Sequence, residues 1–256
     1  MFSVIHNIWR SIYSFFIRKA AAVSSPSRLS FQPYKEQAID LEYNKLFCDN
    51  LALFRPAGKL EGNWKKLFAK RPFIEDLKAI SADSKIETSI RILVFKELRK
   101  AGVIVTREIL GAVIEVGEEE GNEAIGLYEN LSAVYISARG KIFRWENASN
   151  ENEINEKIEA ILKTSQKIIG KAEPWTEPRQ GPPVIGEFRL SFLATNGFYV
   201  GQGKMENIES DAIAKALVFQ VGDIMAKLVQ RTKNPESPKP EKIPEKIPDK
   251  DYQLTK

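Results

Sequence analysis

The stretch Glu187 to Gly203, EFRLSFLATNGFYVGQG, constrains the fold of this chain more than any other. Phe188, Leu190 and Phe192 alternate with Glu187, Arg189 and Ser191, the period of two that belongs to a strand with one wet face and one dry face. Asn196-Gly197 is a pair that readily takes positive φ in a two-residue turn, and Phe198-Tyr199-Val200 returns the chain. A β-hairpin is expected, its dry face covered by the final helix.

The other elements follow from their own patterns. Trp64, Leu67 and Phe68 predict a short helix within Gly62 to Ala69, and Pro72 suits the start of another running to Ile80. Ser84 and Glu87 have the spacing of a capping box for a helix from Lys85 to Ala101, which Gly102 is placed to end in the left-handed conformation. Ile109 to Val116 reads as a buried strand, and Glu123 to Tyr128, Ser132 to Ser137 and Lys141 to Glu146 as three more. Their short connections fit an antiparallel meander. Ile154, Ile158, Ile161, Leu162, Ser165, Ile168 and Ile169 form the stripe of a helix between Asn150 and Gly170. Ile213, Leu217, Val221, Ile224 and Leu228 form the ridge of the last one, capped by Ser210 or Asp211. Ala38 to Phe54 is too weakly patterned to assign.

This order predicts an α+β domain, a single antiparallel sheet of about six strands with helices packed on it. From Lys85 to Arg231 it resembles the roadblock, longin and profilin folds. That resemblance implies a meander and a hairpin sharing one sheet, and it names no function. The domain is expected over 36–231, with 36–83 as a helical lead-in. Ser24 to Pro33 reads as part of a linker over 24–35, and 232–256 as a disordered Pro/Lys/Glu tail.

Charge is divided unevenly along the chain. Of the net +4, residues 1–35 hold Arg10, Arg18, Lys19, Arg28 and Lys35 with no acid, whereas 36–231 carries 27 basic and 29 acidic residues. A slightly acidic body lacks the footprint of a nucleic-acid binder, so no nucleic-acid partner is expected. Residues 1–23 have their polar residues on one helical stripe, surrounded by Phe2, Ile5, Trp9, Ile12 and Phe16. Together with Arg10, Arg18 and Lys19, these are the candidate membrane or partner contacts. An interfacial helix on the cytoplasmic face of a membrane accounts for the stripe and the aromatics. A targeting peptide, leading to an organelle or to export, and a helix packing on a protein partner are the alternatives.

Candidate chemistry is sparse. His6 is the only histidine and Cys48 the only cysteine, so a Ser-His-Asp triad, a Cys-His pair and structural zinc are not expected in the body. No cofactor, metal or catalytic residue is assigned. Gly201 and Gly203 follow a strand as a phosphate loop would, but Glu206 stands where a third glycine belongs. They remain weak ligand-site candidates, and more ordinarily allow a strand end to bulge. Glu115, Glu118, Glu119, Glu120, Glu123 and Glu129 are expected to form a solvated edge, and Cys48 to be buried and inert. The leading expectation is a non-enzymatic interaction or accessory protein, an adaptor working with a protein partner or another copy of itself and held peripherally at a membrane. The alternative is a small-molecule-binding or hydrolytic domain with a carboxylate or lysine beside Gly201 and Gly203.

Overall fold

The computed structural model describes residues 31–147 and 152–231. It contains one six-stranded antiparallel sheet with helices on both faces, an α+β fold. The chain begins with helices α1 (Gln37–Lys45), α2 (Gly62–Leu67), α3 (Ile74–Ala82) and α4 (Thr88–Lys100). Strands β1 (Ile109–Glu118), β2 (Gly121–Tyr128), β3 (Ala133–Ile136) and β4 (Ile142–Trp145) follow as the expected meander. Next come α5 (Asn152–Ile169), β5 (Glu187–Ala194), β6 (Gly197–Lys204), a 3-10 turn (Met205–Ser210) and α6 (Ala212–Arg231). The sheet order is β4-β3-β2-β1-β5-β6, so the hairpin docks on β1 and the first strand of the meander becomes central. None of the helices among the described residues is long and apolar enough to cross a membrane.

Side-chain alternation along each strand divides the interior into two layers. Ala112, Ile114, Ile125, Leu127, Phe188, Leu190, Phe192 and Tyr199 face α5 and α6, whose Ile158, Ile161, Leu217, Val221 and Ile224 close that core. On the opposite face, Val113, Ala124, Ile136 and Leu193 meet Tyr43, Leu46, Phe47, Leu77, Ile80, Leu93, Val94 and Leu98 of the helical lead-in. The dry face of the hairpin therefore meets the last helix as its spacing required. The expected wet face is a correction: Arg189 and Ser191 are buried, because α1, its flanking residues and the segment before β5 cover that side.

Three local readings shift as well. The hairpin turn is Thr195-Asn196 rather than Asn196-Gly197, because Ala194 pairs with Gly197. Thr195 is held from outside the hairpin. Its N–H donates to the Glu108 carbonyl at 2.9 Å, its Oγ1 accepts from the Glu108 N–H at 3.1 Å, and its carbonyl accepts from Arg99. Tertiary anchoring thus sets the position that turn propensity alone placed one residue later. Helix α4 begins at Thr88, and the capping box does not form. Asp83 accepts from the Lys85 N–H at 2.9 Å in a turn of its own, and Glu87 instead accepts from the Ser89 hydroxyl. Gly102 does end this helix with φ +77°. Asp211 caps α6, its Oδ1 accepting from the Ile213 and Ala214 N–H groups at 3.0 Å each.

The residues from Lys171 to Gly186 form a strap from α5 to β5. Trp175 donates its N–H to the Phe198 carbonyl at 2.6 Å, pairing with the outer side of β6. The strap then crosses the end of β1 so closely that a Cβ on Gly117 would lie 2.2 Å from the Val184 carbonyl oxygen. Only glycine admits that crossing.

Candidate functional site

On the sheet face toward α1, register brings three polar residues into one row: Glu115 of β1 lies opposite Arg189 of β5, which lies opposite Gln202 of β6. The Tyr43 hydroxyl of α1 donates to Glu115 Oε1 at 2.6 Å. Arg189 Nη1 stands 3.7 Å from Glu115 Oε2, an ion pair in which that oxygen accepts no hydrogen bond from the described residues. Arg189 donates through Nε and Nη2 to Gln202 Oε1 at 3.0 and 2.9 Å, and through Nη1 to the strap carbonyls of Gly181 and Gln180. Gln202 Nε2 passes the chain on to Glu187 Oε2 at 2.7 Å. Glu115 is 0% exposed and Arg189 4%, so this pair is sealed from solvent, whereas Gln202 and Glu187 are half-buried.

A second clasp lies beside it. Arg179 of the strap donates to Asp49 Oδ2 at 2.6 Å and to Asn44 Oδ1 at 2.8 Å, and its guanidinium lies 4.0 Å from the Phe47 ring centre and 4.8 Å from that of Phe31. Asn44 also holds both the N–H and the carbonyl of Phe31, at 2.9 and 2.7 Å. Tyr34 donates its hydroxyl to the Asn122 carbonyl at 2.8 Å. Phe31 and Tyr34, at the end of the stretch read as linker, are therefore bound into this layer. The left-handed Cys48, φ +48°, turns the chain between Phe47 and Asp49 and lets both reach Arg179.

Burial governs the protonation of these groups. Loss of solvent raises the Glu115 pKa above the ordinary carboxylate range; Arg189, the Tyr43 hydrogen bond and Arg179 oppose it. Tyr43 is pushed far above the usual phenol value by burial first and then by the Glu115 charge. A phenol held neutral beside a carboxylate donates a fixed hydrogen bond. Such a pair suits bridging α1 to the sheet.

A cleft of about 210 Å³ opens next to the Arg179 clasp, at the turn end of the hairpin. Phe31, Phe47, Ile92, Leu193 and Phe198 supply apolar walls, and Lys96, Arg99 and Arg179 bring cations to it. Burial lowers the pKa of both Lys96 and Arg99. Cys48 also lines this cleft; burial raises its thiol well above the usual value, with Asp49 and Glu87 adding to the effect. A thiol held neutral in this way is a poor nucleophile.

The residues singled out from the sequence fall in different places. Gly201 and Gly203 lie inside β6, opposite Leu190 and Phe188, and neither lines this cleft. Phe2, Ile5, Trp9, Arg10, Ile12, Phe16, Arg18 and Lys19 lie outside the described residues. The acidic run divides. Glu118, Glu119, Glu120 and Glu129 are exposed and Glu123 is partly buried, bonded to the Tyr135 hydroxyl at 2.9 Å, whereas Glu115 is a correction to the solvated edge because its side chain points beneath α1. The sequence reading missed Tyr43, Asn44 and Arg179. Ile39, Tyr43 and Phe47 recur every four residues, a helical signal for α1 that was available. Arg179 sits among prolines with no period at all. Among the described residues no cluster of His, Cys, Asp or Glu could hold a metal ion.

Searches against protein-family models, curated proteins and solved structures found no match to this chain.

Proposed function

We propose that this chain is a non-enzymatic interaction or accessory protein, held at the cytoplasmic face of a membrane by residues 1–23. It presents a sheet edge or helix face to a protein partner or to a second copy of itself. The observation that carries this reading is the double clasp, in which Glu115, Arg189, Tyr43, Arg179 and Asp49 bind one another and join the layers. Buried ion pairs of this kind hold a geometry without offering a reactive group to solvent.

Two features support the surface half of the proposal. Residues 1–35 hold five cations and no acid, which suits an anionic headgroup layer, whereas the body has no such bias. Phe219 of α6 is 60% exposed, where a partner can reach it, and the short strand β4 forms one edge of the sheet.

Vesicle flotation tests the reading. The full chain is expected to float with vesicles containing phosphatidylserine, and a chain lacking residues 1–23 to stay in the soluble fraction. Equal partitioning of the two would refute the membrane half. A single sedimenting species with no partner captured by crosslinking in a native extract would remove the interaction half.

A further inference from the structure

We propose that the cleft between α4 and the turn of the β5–β6 hairpin binds a small organic anion with an apolar body, a carboxylate or phosphate monoester carried on an aromatic ring or short chain. This goes beyond the interaction reading and does not rest on it.

Helical spacing builds one wall. Ile92, Lys96 and Arg99 stand at i, i+4 and i+7 of α4, which turns all three toward the same side. Leu193, Ala194, Gly197 and Phe198 close the cleft from the hairpin, Phe31 and Phe47 from the α1 side, and Pro178 and Arg179 from the strap. Its volume of about 210 Å³ is below the roughly 300–1,000 Å³ of a site for a drug-sized ligand, so a single ring or a short chain is the scale that fits.

The charges select the ligand. Lys96 donates to the Asp49 carbonyl and Arg99 to the Thr195 carbonyl, and neither has a carboxylate within ion-pair distance among the described residues. Asp49, whose charge acts on Lys96, already receives Arg179 at Oδ2 at 2.6 Å while its Oδ1 accepts no hydrogen bond from the described residues, and Glu177 is exposed. Three cations thus face two carboxylates among apolar walls, one of those carboxylates engaged through one oxygen by Arg179 and the other exposed to water. A half-buried cation without a counter-ion is costly. An incoming anion relieves that cost with charge-assisted hydrogen bonds from donors that retain free N–H groups. Phe31, Phe47 and Phe198 take the apolar body. Burial already lowers the basicity of Lys96 and Arg99, and an anion beside them restores it.

The test uses the full chain without vesicles, which separates it from the membrane reading. Binding of phenylacetate, phenyl phosphate, phenylacetamide and inorganic phosphate is measured by calorimetry. At least one of the two aromatic anions is expected to saturate a single site per chain. Phenylacetamide is expected to bind at least about tenfold more weakly than that anion, the scale of one lost charge-assisted hydrogen bond. Inorganic phosphate is expected to bind no more tightly than phenylacetamide. A K96Q/R99Q variant should lose the preference for the anion and keep the weak binding of the amide.

Equal affinity for anion and amide would overturn the charge assignment, and equal affinity for phenyl phosphate and inorganic phosphate would overturn the apolar one. No saturable binding of either aromatic anion would overturn the site. The comparison of ligands on the unaltered chain decides the matter even if the double variant fails to fold.

Discussion

The two faces of this sheet solve the same burial problem with different chemistry. The face under α5 and α6 is almost entirely hydrocarbon, and the ridges of those helices fit it mainly by shape and apolar area, with polar contacts such as Gln166 to the Ile109 N–H and Asn155 to Trp145 at its margins. The face under α1 carries Glu115, Arg189, Gln202 and Ser191 among its apolar neighbours, and short helices and a strap close it by hydrogen bonds and ion pairs. A strand's own polarity does not decide whether its face is buried. What decides is whether a covering layer can supply partners for most of its polar groups; of these four residues only the Ser191 hydroxyl and Glu115 Oε2 are left without a hydrogen bond from the described residues.

The contrast sets expectations for each face, and the largest concerns the apolar one. Phe192→Ala is expected to cost about 3–5 kcal/mol, since the void it leaves has no polar remedy. Urea denaturation measures it. A loss under about 1 kcal/mol would mean that the layer is loosely packed.

On the polar face, Tyr43→Phe removes one hydroxyl and leaves Glu115 Oε1 without its donor, so about 1–3 kcal/mol should be lost. That variant also carries a pH signature. The folded state holds the Glu115 proton more tightly than the unfolded chain, so this group's stability contribution is greatest at low pH and is lost as pH rises through its raised pKa. Tyr43→Phe removes a hydrogen bond that favours the carboxylate, so it should move the window to higher pH. Glu115→Gln should abolish it. Stability curves of the three proteins against pH separate these outcomes. The smallest effect belongs to neither face: Asp211→Ala removes the α6 cap at about 1 kcal/mol, detectable by thermal melting.

The same contrast explains how much was legible in the sequence. Ile154 to Ile169 and Ile213 to Leu228 announce their helices, and Phe188, Leu190 and Phe192 their strand face, because a hydrocarbon core writes its period into the chain. The meander was legible for a related reason, since its short connections leave few ways to pair. The polar layer leaves no such trace. Arg189 and Ser191 alternate like solvent-facing residues, and only the covering layer of α1, its flanks and the strap, which β1 admits at Gly117, reveals that they are interior. Glu115 differs from its acidic neighbours by position in the strand rather than by residue type. The cleft was illegible because its walls come from five separate stretches of chain. Gly201 and Gly203 drew notice as a motif, yet the structure pairs them inside β6.

As a structural clasp, the Glu115–Arg189 pair should consist of members that need one another more than the fold needs either. A double-mutant cycle in urea with Glu115→Leu, Arg189→Met and the pair together tests it. Each single change should cost about 3–5 kcal/mol by stranding a buried charge, and the double change should recover most of that loss. Additive losses in the double variant would contradict the clasp and show that the two residues act independently.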